Sequence, residues 1–223
     1  MNIMHAVRRH VRTSLGAAVL LACLLPSPPA EATIAPQLQL DDADRAELAQ
    51  VEDYLNGITT FQAAFEQRSS TGESARGEIY VSRPGKLRLE YQLPVPILVV
   101  ANGSFLIYYD RSLEQVSYIP LGSTPASVLL DKQISLASDG LTVIGLARDA
   151  GTLRLTIVRS DNPGEGSITL VFDEQPLALT QWQVTDAQGI ITTVSLIGPT
   201  FGVKLNQKLF DFTDPRQPSR ESP

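Results

Sequence analysis

Apolar and polar residues alternate along most of the chain after residue 60, which is the pattern of half-buried β-strands. The stretch 79–92, IYVSRPGKLRLEYQ, contains two such runs joined by Pro-Gly. An Asn-Gly pair at 102–103 lies between two further runs and is a strong hairpin signal. The pattern therefore predicts strands at 61–69, 75–83, 86–92, 96–101, 104–110, 113–121, 141–147, 152–159, 167–173, 177–185 and 190–197.

Two segments show helical spacing instead of alternation. Residues 41–58 start at Asp41 or Asp42 as the cap, carry acidic residues in their first turns and end near Gly57. Their apolar stripe consists of Leu48, Val51, Leu55 and Ile58. Residues 123–133 predict a shorter helix of two or three turns that begins with proline and carries an apolar patch.

The ratio of strands to helices predicts a mainly β (α+β) fold. About ten or eleven antiparallel strands make a sheet large enough to twist and curl. Two or three helices are too few to cover one face of such a sheet. We therefore expect an incomplete antiparallel β-barrel with a lid of two or three helices, which would leave an apolar cavity. A fully packed core without a cavity is the alternative, since most apolar stripes are simply core.

The first 32 residues have the layout of a secretory signal peptide. Three arginines precede an apolar stretch at 15–25, prolines end that stretch, and small residues suited to cleavage follow. An alternative interpretation is that residues 20–23, Leu-Leu-Ala-Cys, form a lipoprotein box in which Cys23 is lipidated. We expect residues 33–213 to form a single domain and the polar, proline-rich residues 214–223 to be a disordered tail.

The chain after this leader contains no histidine and no cysteine, because His5, His10 and Cys23 all precede residue 33. A Ser-His-Asp or Cys-His relay needs an imidazole, and zinc and copper sites use His or Cys, so we expect no such site and no cofactor. Paired-carboxylate chemistry stays open, although no acidic pair has a suggestive setting. The remaining 15 basic and 23 acidic residues give a net charge of about −8, which argues against nucleic acid as a partner.

Five motifs occur in a fixed order along the first half of the chain. They are F-x-x-x-F-x-Q at 61–67, G-x-I-Y-V-x-R-P-G-K-L-R at 77–88, V-V-A-N-G-x-x-L-I-Y-Y-D at 99–110, L-E-Q-V at 113–116, and T-P at 124–125 before an apolar helix. This set, from about residue 42 to 131, resembles the periplasmic outer-membrane lipoprotein carrier (LolA) family. Beyond it the resemblance is one of strand pattern only.

The resemblance implies an incomplete antiparallel barrel with a helical lid and an activity that is not enzymatic. It implies a periplasmic monomer without cofactor that takes acylated lipoproteins from an inner-membrane ABC lipoprotein transporter and delivers them to an outer-membrane lipoprotein receptor. Two alternatives remain open. One is a lipid-anchored receptor or sensor of the same fold, which would need Cys23 to be lipidated, and the other is a carrier of another envelope lipid.

The resemblance also implies roles for single residues. By this resemblance Arg83, the arginine of the R-P motif, would hold the lid shut. The alternative, from the residues alone, is an arginine at a strand end whose stem packs on apolar neighbours while its charged head stays in water. Leu87 matches a position that contributes to ligand affinity and release. The residues expected to bind acyl chains are Phe61, Phe65, Ile79, Val81, Leu87, Leu89, Tyr91, Leu129 and Leu130. For the last two, plain packing of helix on sheet is the alternative, and Tyr108 and Asp110 are expected to be structural.

Overall fold

The computed structural model describes residues 38–136 and 140–216, which contain eleven strands in one antiparallel sheet, one α-helix and short 3₁₀ helices. The predicted leader and residues 217–223 of the predicted tail lie outside the described residues. The mainly β fold with a small helical part is confirmed. The strands are β1 Thr60–Ser69, β2 Ser74–Ser82, β3 Lys86–Tyr91, β4 Ile97–Asn102, β5 Phe105–Asp110, β6 Gln115–Pro120, β7 Leu141–Asp149, β8 Thr152–Arg159, β9 Gly166–Glu174, β10 Leu177–Asp186 and β11 Ile191–Phe201.

The strand order is β6-β5-β4-β3-β2-β1-β11-β10-β9-β8-β7. Strands that follow each other in sequence are neighbours, as the short turns predicted, except at one place: β6 and β7 lie at opposite edges. The chain between them therefore has to cross a face of the sheet. We call residues 121–136 of this crossing the lid segment.

One face of the sheet, the inner face, carries the main core. Register and alternation place Phe61, Ile79, Leu89 and Val99 on this face in β1 to β4, and Leu155, Leu170 and Trp182 on it in β8 to β10. The register shifts at three points, between Gln62 and Ala64, between Val143 and Gly145, and between Leu179 and Gln181. Because such bulges bend a strand and increase its twist, they favour the curvature that a sheet of this size needs.

Helix α1 spans Asp42–Gly57 and covers only part of the inner face. Asp41 is its cap, and the Asp41 and Asp44 side chains form a capping box. Its buried residues are Leu48, Val51 and Leu55. The Tyr54 ring meets Phe172 of β9 edge-on at 6.0 Å between centroids, and the backbone N–H of Leu179 in β10 donates to the Tyr54 hydroxyl at 2.9 Å. The helix therefore lies against β9 and β10, and the lid segment contacts the same two strands and also reaches the turn after β2, where the Gly85 backbone N–H donates to the Leu130 carbonyl.

The lid segment contains the short helix predicted for residues 123–133, as a 3₁₀ helix and not as an α-helix. It forms two 3₁₀ helices, Leu121–Ser123 and Pro125–Leu130, the second with proline at its start. Three features explain the difference. The helical stretch Pro125–Leu130 is only six residues long, too short for a stable α-helix. The Thr124 hydroxyl donates to the Leu121 carbonyl and does not cap the helix, and the Leu130 carbonyl accepts from the Gly85 backbone N–H at 2.8 Å.

The C-terminal segment covers the opposite face of the sheet. The 3₁₀ helix Gln207–Phe210 lies against β3 and β4, and Phe210 is buried. Strand β4 is consequently buried on both faces, with Val100 fully buried on the outer one. Asp214, at the start of the predicted tail, is also buried and accepts from the Arg216 side chain at 2.7 Å and from the Tyr118 hydroxyl at 3.3 Å.

Candidate functional site

An apolar cavity of about 120 Å³ lies between the inner face and the lid segment. Seven of the nine residues expected to bind acyl chains line it: Phe61, Ile79, Val81, Leu87, Leu89, Leu129 and Leu130. The first five come from β1 to β3 and the last two from the lid segment. The geometry thus brings together side chains that alternate along three strands with two from a distant 3₁₀ helix.

The rest of the wall includes residues that sequence reasoning did not identify. Trp182 of β10 and Val194 of β11 line the cavity, as do Leu55 and Ile58 at the end of α1. Strand β11 pairs with β1, and this pairing places residues more than a hundred positions apart in one wall. The apolar alternation of β10 and β11 marked these side chains as inward-facing, but no local pattern indicates which strand lies beside β1.

Arg83 joins the sheet to the two elements that lie over the inner face, α1 and the lid segment. It follows β2, and its guanidinium donates to the Leu55 and Ile58 carbonyls at the end of α1, the second at 3.1 Å. Its Nε and Nη2 also donate to the Asp131 carbonyl, at 2.8 and 2.6 Å. Helix ends leave carbonyls without intrahelical partners, and a guanidinium has five donors with which to satisfy them. One side chain therefore connects the hairpin, α1 and the end of the lid segment.

Two further side chains fasten the lid segment to α1. Asn56 donates to the Ile134 carbonyl at 2.8 Å and accepts from the Ile134 backbone N–H at 2.9 Å. One helical turn earlier, Glu52 accepts from the backbone N–H of Leu136 at 2.7 Å. The Asn56 amide also accepts from Arg83 at 3.4 Å. We call Arg83, Asn56 and Glu52 the latch; all of its contacts are polar.

Burial shapes the charges at the latch. It lowers the pKa of the Arg83 guanidinium, with the Asp131 carboxylate acting in the opposite direction. Burial raises the pKa of Asp131 itself, and nearby Arg159 and Arg83 partly offset that shift. Since an arginine stays protonated across the physiological range, the Arg83 side chain keeps all its donors at neutral pH.

Phe65 and Tyr91, the other two expected residues, do not line this cavity. Phe65 is almost fully buried, and its ring meets Tyr91 edge-on at 5.2 Å between centroids. Tyr91 lines a second cavity of about 450 Å³ one pleat further along the strands, where its hydroxyl donates to Gln67 at 2.6 Å. Burial raises the pKa of Tyr91 to about 12, so this hydroxyl keeps its proton at neutral pH.

The position of Phe65 depends on Gly77, and this gives a stability prediction. A Cβ on Gly77 would lie 2.3 Å from the Glu90 carbonyl oxygen and 2.7 Å from the Phe65 ring. We expect Gly77→Ala to lower the free energy of unfolding by about 1–3 kcal/mol, the usual range for overpacking. Urea unfolding measures this change in the free energy of unfolding. Gly57→Ala is the control, since a Cβ on Gly57 meets nothing within 4 Å. Equal stability of the two variants would contradict this packing.

The size of the cavity limits what the closed form can hold. An engineered apolar cavity of about 150 Å³ binds a single benzene molecule. The cavity of about 120 Å³ is therefore suited to a short apolar group and not to a whole acyl chain. The lid segment forms one side of this cavity, and the latch joins it to α1 and to the hairpin.

Among residues 38–136 and 140–216, no three or more His, Cys, Asp or Glu side chains form a group that could hold a metal ion. Within the same residues, no helix is long and apolar enough to cross a membrane.

Comparison with known proteins relates the chain by sequence to one family. A family model described as "Outer membrane lipoprotein carrier protein LolA" matches residues 56–213. An "Outer-membrane lipoprotein carrier protein" from Methylococcus capsulatus is 30% identical over 183 residues, covering 78% of this chain and 86% of the relative. One of the same name from Chromobacterium violaceum is 29% identical over 181 residues, with the same coverage. A solved LolA superfamily protein from Nitrosomonas europaea superposes with a TM-score of 0.44 at 11% identity, over 74% of this chain and 97% of that one.

Proposed function

Since this chain belongs to the outer membrane lipoprotein carrier protein (LolA) family, we propose that it carries lipoproteins by holding their acyl chains in the apolar cavity. In this proposal the protein is a periplasmic carrier without enzymatic activity. It receives lipoproteins from an inner-membrane ABC transporter and passes them to an outer-membrane receptor. The observation that carries the proposal is an apolar cavity whose cover is fastened by polar contacts.

The apolar wall supports acyl chains as the ligand. Leu87, Leu89 and Val99 lie on adjacent strands, and an acyl chain along them would be removed from water. Burial of each methylene group contributes about 0.8 kcal/mol. A chain of ten or more methylene groups therefore gains enough free energy to displace the lid segment, even after the latch bonds are lost.

The polar latch supports a cycle of loading and release. A net contribution of about 1 kcal/mol for each hydrogen bond means that the latch can open and close at modest cost. An apolar seal of the same extent would cost more to open, because every Å² exposed to water adds to the penalty. In the proposed cycle, closure of the latch over the emptied cavity offsets part of the cost of giving up the ligand.

Binding of a synthetic lipopeptide tests this function. We expect a peptide with an N-acylated, S-diacylglyceryl cysteine to displace N-phenyl-1-naphthylamine, an uncharged dye that fluoresces in apolar cavities. The same peptide without acyl chains should not displace it, which controls for binding through the polypeptide. Failure of the protein to bind the acylated peptide, or equal displacement by both peptides, would contradict the proposal. Mass spectrometry of what co-purifies from envelope extract then identifies the natural ligand.

A further inference from the structure

Ser127 differs from the other residues around the cavity. It lies in the 3₁₀ helix of the lid segment, lines the apolar cavity and is 3% exposed. Within residues 38–136 and 140–216, its Oγ is the one buried side-chain nitrogen or oxygen atom without a hydrogen-bond partner. Because buried hydroxyls nearly always have a partner, an exception in the wall of a cavity points to a ligand.

The neighbouring polar groups already have partners within the protein. The Thr124 hydroxyl, which also lines the cavity, donates to the Leu121 carbonyl at 3.3 Å. The Ser127 backbone N–H donates to the Thr124 carbonyl at 3.0 Å. Arg83 is engaged with the carbonyls at the end of α1 and with Asp131. The Ser127 hydroxyl thus remains available to a molecule in the cavity.

The surroundings of Ser127 restrict the chemistry of its partner. Ala126, Leu129 and Leu106 line the same cavity, so a charged group beside Ser127 would lose its hydration among apolar side chains. Arg83 also lines the cavity, but its guanidinium is already held by the Ile58 and Asp131 carbonyls. A neutral acceptor on an otherwise apolar molecule is the suitable match. The carbonyl of an ester or amide at the head of an acyl chain has this composition, whereas a plain hydrocarbon lacks the acceptor.

We propose that the Ser127 hydroxyl donates a hydrogen bond to the carbonyl of the ester or amide bond that attaches an acyl chain to its carrier molecule. This inference rests on the proposed function and adds to it the position of the chain's head, which lies beneath the lid segment. It also gives the empty closed form a built-in disadvantage. An unpaired buried hydroxyl destabilises that form, and binding of a carbonyl removes the penalty.

The test pairs a protein variant with a change in the ligand. The ligands are three cysteine peptides of one sequence: one with S-diacylglyceryl ester bonds, one with ether bonds in their place, and one with only an N-linked acyl amide. Dissociation constants come from displacement of N-phenyl-1-naphthylamine. We expect Ser127→Ala to weaken binding of a carbonyl-bearing peptide by about fivefold and to leave the ether peptide unchanged.

If Ser127→Ala weakens binding of the ester peptide alone, the partner of Ser127 is an ester carbonyl; if it weakens binding of the amide peptide alone, the partner is the amide carbonyl. Either result supports the proposal. We also expect Ser127→Ala to raise the melting temperature by about 3 °C, since the unpaired hydroxyl is gone. Ser123→Ala is the control, because the Ser123 hydroxyl donates to the Pro120 carbonyl on the exposed side of the same segment. The Ser123→Ala variant should bind each of the three peptides with the same dissociation constant as the unsubstituted protein.

Equal effects of Ser127→Ala on all three peptides, or no effect on any, would overturn the inference while leaving the proposed function in place. Failure of the unsubstituted protein to bind every acylated peptide would instead overturn the proposed function itself. Should the alanine variant not fold, Ser127→Cys keeps the side chain's size with a much weaker donor. It is expected to show the same selective loss.

Discussion

Replacing Arg83 with leucine is expected to leave the chain folded and to slow release of a bound lipopeptide by about 10- to 100-fold. The guanidinium bonds to the Asp131 carbonyl join the hairpin to the lid segment, so in the proposed cycle they favour the closed, empty form over a form opened by a ligand. Without these bonds the closed, empty form is less favourable, so closure of the lid segment no longer helps to release the ligand. Transfer to an acceptor should then slow by a similar factor, because the ligand stays bound for longer.

Release is measured by stopped-flow after the loaded protein is mixed with excess acceptor vesicles. Arg88→Leu is the matched control, because Arg88 lies on the outer face of β3 and pairs with Glu90 at 2.9 Å. Arg83→Lys should give an intermediate rate, since lysine retains the charge but lacks the planar fork of donors. A release rate for Arg83→Leu equal to that of Arg88→Leu would show that Arg83 is not a latch.

The same substitution on the two sides of the inner face is expected to have opposite main effects. Leu170 of β9 is fully buried and lies outside the cavity, whereas Leu89 of β3 is partly buried and lines it. We expect Leu170→Ala to lower the free energy of unfolding by about 2–5 kcal/mol, as a cavity in a packed core does. Leu89→Ala should cost less than about 1.5 kcal/mol, because part of its surface already faces empty space.

Ligand binding should follow the reverse order. Leu89→Ala removes apolar surface that an acyl chain would contact, so we expect about tenfold weaker binding of the acylated peptide. Leu170→Ala should bind normally below its unfolding temperature. Urea unfolding and dye displacement on the two variants give all four values. Similar stability losses in both would mean that the β2–β5 side is as tightly packed as the β8–β10 side.

Local patterns in the sequence were sufficient for most of the secondary structure. Alternation and turn residues located all eleven strands, and the acidic cap placed α1 within one residue of its observed start. The nature of the lid segment was less accessible. Its short length disfavours an α-helix, but no local signal indicates the bond from the Gly85 backbone N–H to the Leu130 carbonyl at the end of the 3₁₀ helix.

The candidate site was only partly predictable for a similar reason. The inward faces of β1 to β3 could be read from alternation, and most of those residues line the cavity. Asn56 and Glu52 could not be identified, because a polar side chain on a helix normally faces solvent. Their partners, Ile134 and Leu136, lie about eighty residues further along the chain, and no local signal connects them.

The pairing of β1 with β11 has a consequence for folding during synthesis. The two central neighbours of the sheet are also its first and last strands in synthesis. Contacts between residues so far apart in sequence form late and slowly. During synthesis from the amino end, β1 to β6 and β7 to β10 therefore form two separate parts of the sheet with unpaired edges at β1 and β10. Only when β11 is made can it join the two parts and complete the apolar core.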